Sequence, residues 1–166
     1  HCQITDEALL DRFAALGVQA YVQPVFLEYD AHIVEDRVGQ ARAAHSYSWK
    51  GLLRRGVNVS GGSDCPVEGM DSCKNLDCAM TRADFAGEPA GGWRPEEDLT
   101  AQEALRVFTR NVAAASGDEK RRGDLVPGFD ADLTVLAEDF FEVAPERVKD
   151  LSPCLTVMGG RIRFRA

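Results

Sequence analysis

The sequence predicts an α/β fold with a parallel sheet, followed by a small β appendage, and three observations carry that reading. Helical and strand patterns alternate through the first part of the chain, in the order helix, strand, helix, strand. The two helix-to-strand joints, Gly17-Val18 and Gly56-Val57, are built alike. From Gly123 onward the helical period gives way to alternation broken by turn signals. In sheets of this kind ligands gather beyond the carboxyl ends of the strands, so the predicted strand ends, Gln23-Pro24 and Ser63-Asp64, are where chemistry is sought.

The elements follow in order. Thr5 or Asp6 caps a helix whose apolar positions Ala8, Leu9, Phe13 and Leu16 recur at helical spacing, and Gly17 closes it. Val18 to Phe26 reads as a strand covered on both faces and ended by Pro24. Leu27 to Gly39 has no clear period and reads as a cleft-mouth loop or a plain solvated one, with room for a short helix. A helix over Arg42 to Leu53 ends in Arg54, Arg55 and Gly56. After the second strand come a helical stretch from Asn75 to Arg82 and a Gly/Pro-rich loop from Ala83 to Pro95. Thr100 and Glu103 form a capping box that opens an amphipathic helix running to about Ala115. Beyond Gly123 an alternating strand, an acidic segment and a hairpin turning at Gly159-Gly160 complete the chain.

Composition excludes several function classes. The 166 residues carry a net charge of −8, so no basic stripe is available to displace counterions from a nucleic acid. No apolar run approaches the roughly 20 residues of a membrane helix, and a soluble cytoplasmic protein is expected. Five cysteines, an odd number set among core-forming sequence, predict free thiols. The spacing of Cys65, Cys73 and Cys78 does not match paired zinc knuckles, and a zinc cluster there is the minor alternative. Because His1 is not preceded by a methionine and is followed at once by a helix signal, the chain is expected to lack an upstream strand.

The most informative stretch is Val57-Asn58-Val59-Ser60-Gly61-Gly62-Ser63-Asp64-Cys65-Pro66. A β-branched run ends in two glycines, offers Ser63 and Asp64, and is stopped by a proline. Two readings stand side by side: Asp64 delivers a carboxylate to a cleft, or it bonds its own backbone in an Asx-type turn.

The ordered set His1-Cys2-Gln3, Val22-Gln23-Pro24, Gly39 to Arg42, Gly61 to Pro66, Thr81-Arg82, Leu99-Thr100 to Leu105, Thr109 to Ala113 and Gly123 to Leu133 resembles the carboxyl-terminal part of the amidohydrolase superfamily. Its family-3 branch, which includes N-substituted formamide deformylase, is the nearest likeness. The resemblance implies part of a (β/α)₈ TIM-type barrel over residues 1–118, from the end of strand six to strand eight, and a β-sandwich segment over residues 119–166. It places His1, Pro24 and Asp64 at the ends of strands six, seven and eight. It implies His1 and Asp64 as ligands of a divalent metal, zinc by preference, with Asp64 also the catalytic proton carrier for a metal-activated water that cleaves a non-peptide amide-type C–N bond in a small molecule.

Arg42 is a candidate for pairing with substrate or for capping the barrel mouth, and Trp93 for closing the cleft or anchoring its loop. His32 reads as a loop residue, His45 as a helix-surface residue and Glu68 as solvated, while Asp130 and Asp132 read as structural. The superfamily's remaining ligands, a His-x-His pair, a mid-barrel lysine or acid and a further histidine, have no match here. The chain alone is therefore expected to be inactive, to hold metal weakly, and to associate with itself or with a missing amino-terminal half. The competing reading is a non-enzymatic β/α module for binding or assembly.

Overall fold

A computed structural model describes residues 1–166. Asp6 opens helix α1 (Glu7–Leu16) by accepting the Leu9 amide at 2.7 Å, and Gly17 closes it in the left-handed region. The buried apolar anchor is Leu10, whereas Leu9 and Leu16 of the predicted stripe are exposed. The reason is steric: Gly51 has no side chain, so Leu10 reaches the facing helix.

Strands β1 (Ala20–Val22) and β2 (Val59–Gly61) pair in parallel, with Ala20 opposite Val59 and Val22 opposite Gly61. Strand β1 is shorter than the pattern predicts because Pro24 starts a 3₁₀ turn over Pro24–Phe26. The crossover is made of short helices joined by turns. The segment read as a loop holds α2 (Leu27–Asp30) and α3 (Val34–Val38), each pinned by a buried residue, Leu27 and Val34. The predicted helix over 42–53 is two pieces, α4 (Gln40–Ala43) and α5 (Trp49–Arg54). Tyr47 breaks it, with φ +53° and its amide donating to the Gln3 carbonyl at 2.8 Å, which draws the ring into the core.

Helix α6 (Ser72–Thr81) starts on the Asp71 cap and is buried over most of its length. The capping box forms as predicted at α7 (Ala101–Phe108), but the helix bends at Thr109 before α8 (Arg110–Ala115). Asn111 explains the break: its side-chain amide donates to the Val59 carbonyl at 2.9 Å, and its own carbonyl accepts from Asn58 and Ser60. The end of α7–α8 is thereby bolted to β2.

Strands β3 (Leu133–Leu136), β4 (Pro153–Met158) and β5 (Arg161–Arg165) form an antiparallel sheet in that order. Gly159 and Gly160 both take positive φ, as a two-residue hairpin turn requires. Asp132 accepts the Gly159 amide at 2.7 Å, and Asp130 takes Arg121 and Arg122 at 2.9 Å each, so both aspartates are structural. Between β3 and β4 the chain returns to the α/β body, where Phe140, Val148 and Leu151 join the same apolar cluster as Val22, Trp49, Leu76 and Val107. All five cysteines are free thiols. No helix is long and apolar enough to cross a membrane.

Candidate functional site

The two strand ends meet a third segment, the amino-terminal residues. Beyond β2 the Gly62 amide extends the ladder to the Val22 carbonyl at 3.0 Å, and Asp64 then turns through the left-handed region at φ +56°. Its carbonyl accepts the Val67 amide at 2.8 Å, so a backbone turn is present. The carboxylate makes no bond to that backbone. It faces the His1 Nε2 at 3.8 Å, with the two side chains 50% and 43% exposed for His1 and Asp64. The turn at Asp64 is therefore a backbone turn and not one closed by the Asp64 side chain.

His1 has two neighbours besides Asp64. Its Nδ1 lies 2.7 Å from the Gln23 Oε1, and its ring lies 5.6 Å from that of Phe26. Behind it, the Gln3 side-chain amide donates to the Tyr47 hydroxyl at 2.9 Å and to Asp30 at 3.2 Å, and Thr5 donates to the His45 carbonyl at 2.7 Å. The Tyr47 hydroxyl in turn donates to Asp30. Burial, reinforced by Asp30, raises the Tyr47 pKa well above the ordinary phenol value, so this hydroxyl is a donor at any working pH.

An imidazole nitrogen and a carboxylate oxygen are donor types that a zinc-like ion accepts. Their 3.8 Å separation is close to the about 3.4 Å between two ligands of one tetrahedral ion with bonds of about 2.1 Å. No third His, Cys, Asp or Glu joins them, and a closed zinc site takes four ligands, so these two residues by themselves do not make up such a site.

Arg42 projects from α4, exposed and free of any ion pair. Trp93 is 9% exposed, edge-on to Tyr47 at 6.0 Å, with the Arg82 and Arg94 guanidiniums at 5.4 and 5.7 Å from its ring. This burial fits an anchor of the 83–94 loop. His32 is tied down, its Nε2 2.9 Å from Asp84, while Glu28 accepts the Phe85 amide at 2.7 Å. Asp84 also accepts the Ala86 and Glu88 amides, and these bonds, that from Glu88 foremost, hold its carboxyl below the usual range. The 83–94 loop is thus stitched to the helices that follow β1. His45 lies at the surface, 3.6 Å from Glu7.

Two residues escaped sequence reasoning. Gln23 carried a signal, its place at a strand end, but nothing in the sequence paired it with His1. Arg82 stands in the Thr81-Arg82 pair of the family likeness, but that likeness gives it no role, and a basic residue at a helix end reads as solvated. It is fully buried, donating to the Trp93 carbonyl at 2.8 Å and the Tyr47 carbonyl at 3.2 Å and lying 4.8 Å from the Trp49 ring. Burial lowers its pKa to about 10, and it remains charged at neutral pH.

An imidazole and a carboxylate brought together beyond the ends of parallel strands define a class, the α/β proteins with a candidate site at the strand ends. Residues 1–164 match the family model described as the amidohydrolase family, and the chain belongs to that family. It is 33% identical over 164 residues to the protein named "Putative amidohydrolase YtcJ" of Bacillus subtilis (strain 168), covering 99% of this chain and 31% of the relative. It is 34% identical over 115 residues to the N-substituted formamide deformylase of Arthrobacter pascens, covering 69% of this chain and 21% of the relative. The crystal structure of an uncharacterized metal-dependent hydrolase from Pyrococcus horikoshii OT3 superposes with a TM-score of 0.77 at 27% identity, over 87% of this chain and 29% of that one. The chain spans about a third or less of the length of the proteins it matches.

Proposed function

We propose that the chain is the carboxyl-terminal portion of a metal-dependent amidohydrolase that hydrolyses an amide-type, non-peptide C–N bond in a small molecule. The observation that carries this reading is the convergence of His1 and Asp64 at 3.8 Å beyond the parallel strands, in a chain of the amidohydrolase family. On this reading residues 1–118 belong to the barrel, with His1 at the end of strand six, β1 as strand seven and β2 as strand eight, and residues 119–166 to the sandwich.

His1 supplies a neutral imidazole nitrogen, and Asp64 supplies an oxygen that both ligates and holds the proton passed on to the departing amine. A bound divalent ion, zinc by the donor types, supplies Lewis-acid polarisation and a lowered pKa for its water. Arg42, free of any ion pair, is the group on this segment suited to a substrate carboxylate. With two ligands the chain alone holds metal weakly and is inactive. Strands β1 and β2 each pair on one side, and Tyr21 of β1 is exposed, which supports association with the rest of the barrel or with a second copy. The cytoplasm is the compartment that suits a chain of free thiols.

The test is Asp64→Asn in the full-length protein. Turnover of an N-substituted formamide falls below detection while circular dichroism stays that of the wild type. Retained turnover removes Asp64 from its role.

A further inference from the structure

We propose that Gln23 is the positioning residue for His1: its side-chain oxygen accepts the Nδ1–H, fixing the tautomer that leaves Nε2 bare on the side of Asp64. The 2.7 Å separation between Nδ1 and Oε1 is short for a nitrogen donor, so the pair is a firm hydrogen bond. The oxygen is in a fixed place because both flanks of Gln23 are anchored. Val22, Pro24 and Val25 are buried, and the Val25 amide donates to the buried Asn75 side chain at 3.2 Å. The Phe26 ring limits rotation of the imidazole about its own axis.

The alternative orientation of the amide is the poorer one. Turning the Gln23 NH₂ toward Nδ1 makes that nitrogen an acceptor and puts the proton on Nε2, whose neighbour Asp64 is 3.8 Å away, beyond hydrogen-bond reach. Free imidazole favours the Nε2–H form, so the Nδ1–H form here must be imposed by its surroundings. A neutral imidazole with a lone pair on Nε2 is the state that a metal takes, and partners on the opposite nitrogen typically change metal affinity by 10–100-fold. That consequence rests on the reading of His1 as a ligand; the tautomer does not.

The experiment has two arms. In the first, the histidines of the 166-residue chain are labelled with nitrogen-15 and observed at about pH 8.5, where imidazole is neutral. The signals of His1 are assigned by their loss in His1→Asn. The wild type should show the Nδ1–H pattern, Gln23→Glu should keep it, and Gln23→Leu should return His1 to a majority of Nε2–H. An Nε2–H pattern in the wild type, which needs no variant to fold, overturns the proposal, as does a Gln23→Leu spectrum unchanged from it. In the second arm zinc alone is titrated into the full-length protein, where Gln23→Leu should weaken binding by about 10–100-fold and Gln23→Glu should restore it. An Nδ1–H tautomer in a full-length protein that takes no zinc sinks the hydrolase reading and keeps the positioning role. Tight zinc binding with an Nε2–H tautomer does the reverse.

Discussion

Two regions of this molecule handle charge in opposite ways. Around Arg82 a guanidinium is sealed between Trp49 and Trp93, its Nε and Nη1 donating to the carbonyls of Trp93 and Tyr47 while its Nη2 is buried without a partner. At the strand ends His1 and Asp64 stay about half exposed, bonded sparingly and facing one another. The cage is scaffold: it ties α6, the 83–94 loop and the break before α5 to one point. The strand-end pair is the candidate site, and its own fold leaves both groups unsaturated. The difference teaches that the molecule buries and bonds the charge that holds it together and leaves exposed the charges proposed for chemistry.

Removing the cage cation gives the largest effect. Arg82→Ala leaves the Trp93 carbonyl without its donor, strips the Tyr47 carbonyl of one of its two, and opens a void between aromatic rings, an expected loss of about 3 kcal/mol or more in denaturant unfolding. Arg82→Lys should not rescue it, because an ammonium lacks the flat face and forked donors. A loss below about 1 kcal/mol would dissolve the contrast between the regions.

Next is Gly92→Ala. A Cβ there would stand 2.2 Å from the Thr81 carbonyl, at a φ of +84°, and the expected loss is about 2–3 kcal/mol, read from the shift in melting temperature.

The buried side also carries a pH signature. Burial raises the Asp77 pKa to about 6, against the partial opposition of Lys149. The unfolded chain ionises this group near pH 3.9, so between about pH 4 and 6 the folded state holds the extra proton and stability falls as pH rises. Comparing wild type with Asp77→Asn isolates the term. The wild type should lose on the order of 2 kcal/mol relative to the variant between pH 4 and 7, and a flat difference would show that the carboxyl is well solvated.

The smallest effect is at the site. Asp64→Asn should change the stability of the isolated chain by no more than about 0.5 kcal/mol, since the carboxylate bonds nothing in its own turn. A large loss would make Asp64 part of the scaffold and erase the distinction.

What was legible in the sequence was local. Asp6, Thr100, Gly17 and the Gly159-Gly160 turn act on backbone within a few residues of themselves, and each performs as read. The strand ends at Gln23-Pro24 and Ser63-Asp64 were legible because proline and paired glycines stop strands. The helix breaks at Tyr47 and Thr109 were not, because their causes lie far along the chain, in Gln3 and in the carbonyl of Val59. For the site, the family likeness singled out His1 and Asp64, but neither it nor any local pattern revealed the oxygen of Gln23 beside the imidazole. Trp93 next to two glycines supported lid and anchor equally until the guanidiniums beside it were located.

The stitching of the 83–94 loop to the helices after β1 has a kinetic side. The Phe85, Ala86 and Glu88 amides are held by Glu28 and by an Asp84 that is itself held by His32. The Ala86 and Glu88 bonds lie within the loop, whereas that of Phe85 crosses to α2 and breaks only when the loop parts from it. The Phe85 amide should therefore exchange more slowly than the other two, at the rate of that parting, and a His32→Ala substitution, which removes the second tie, should quicken it.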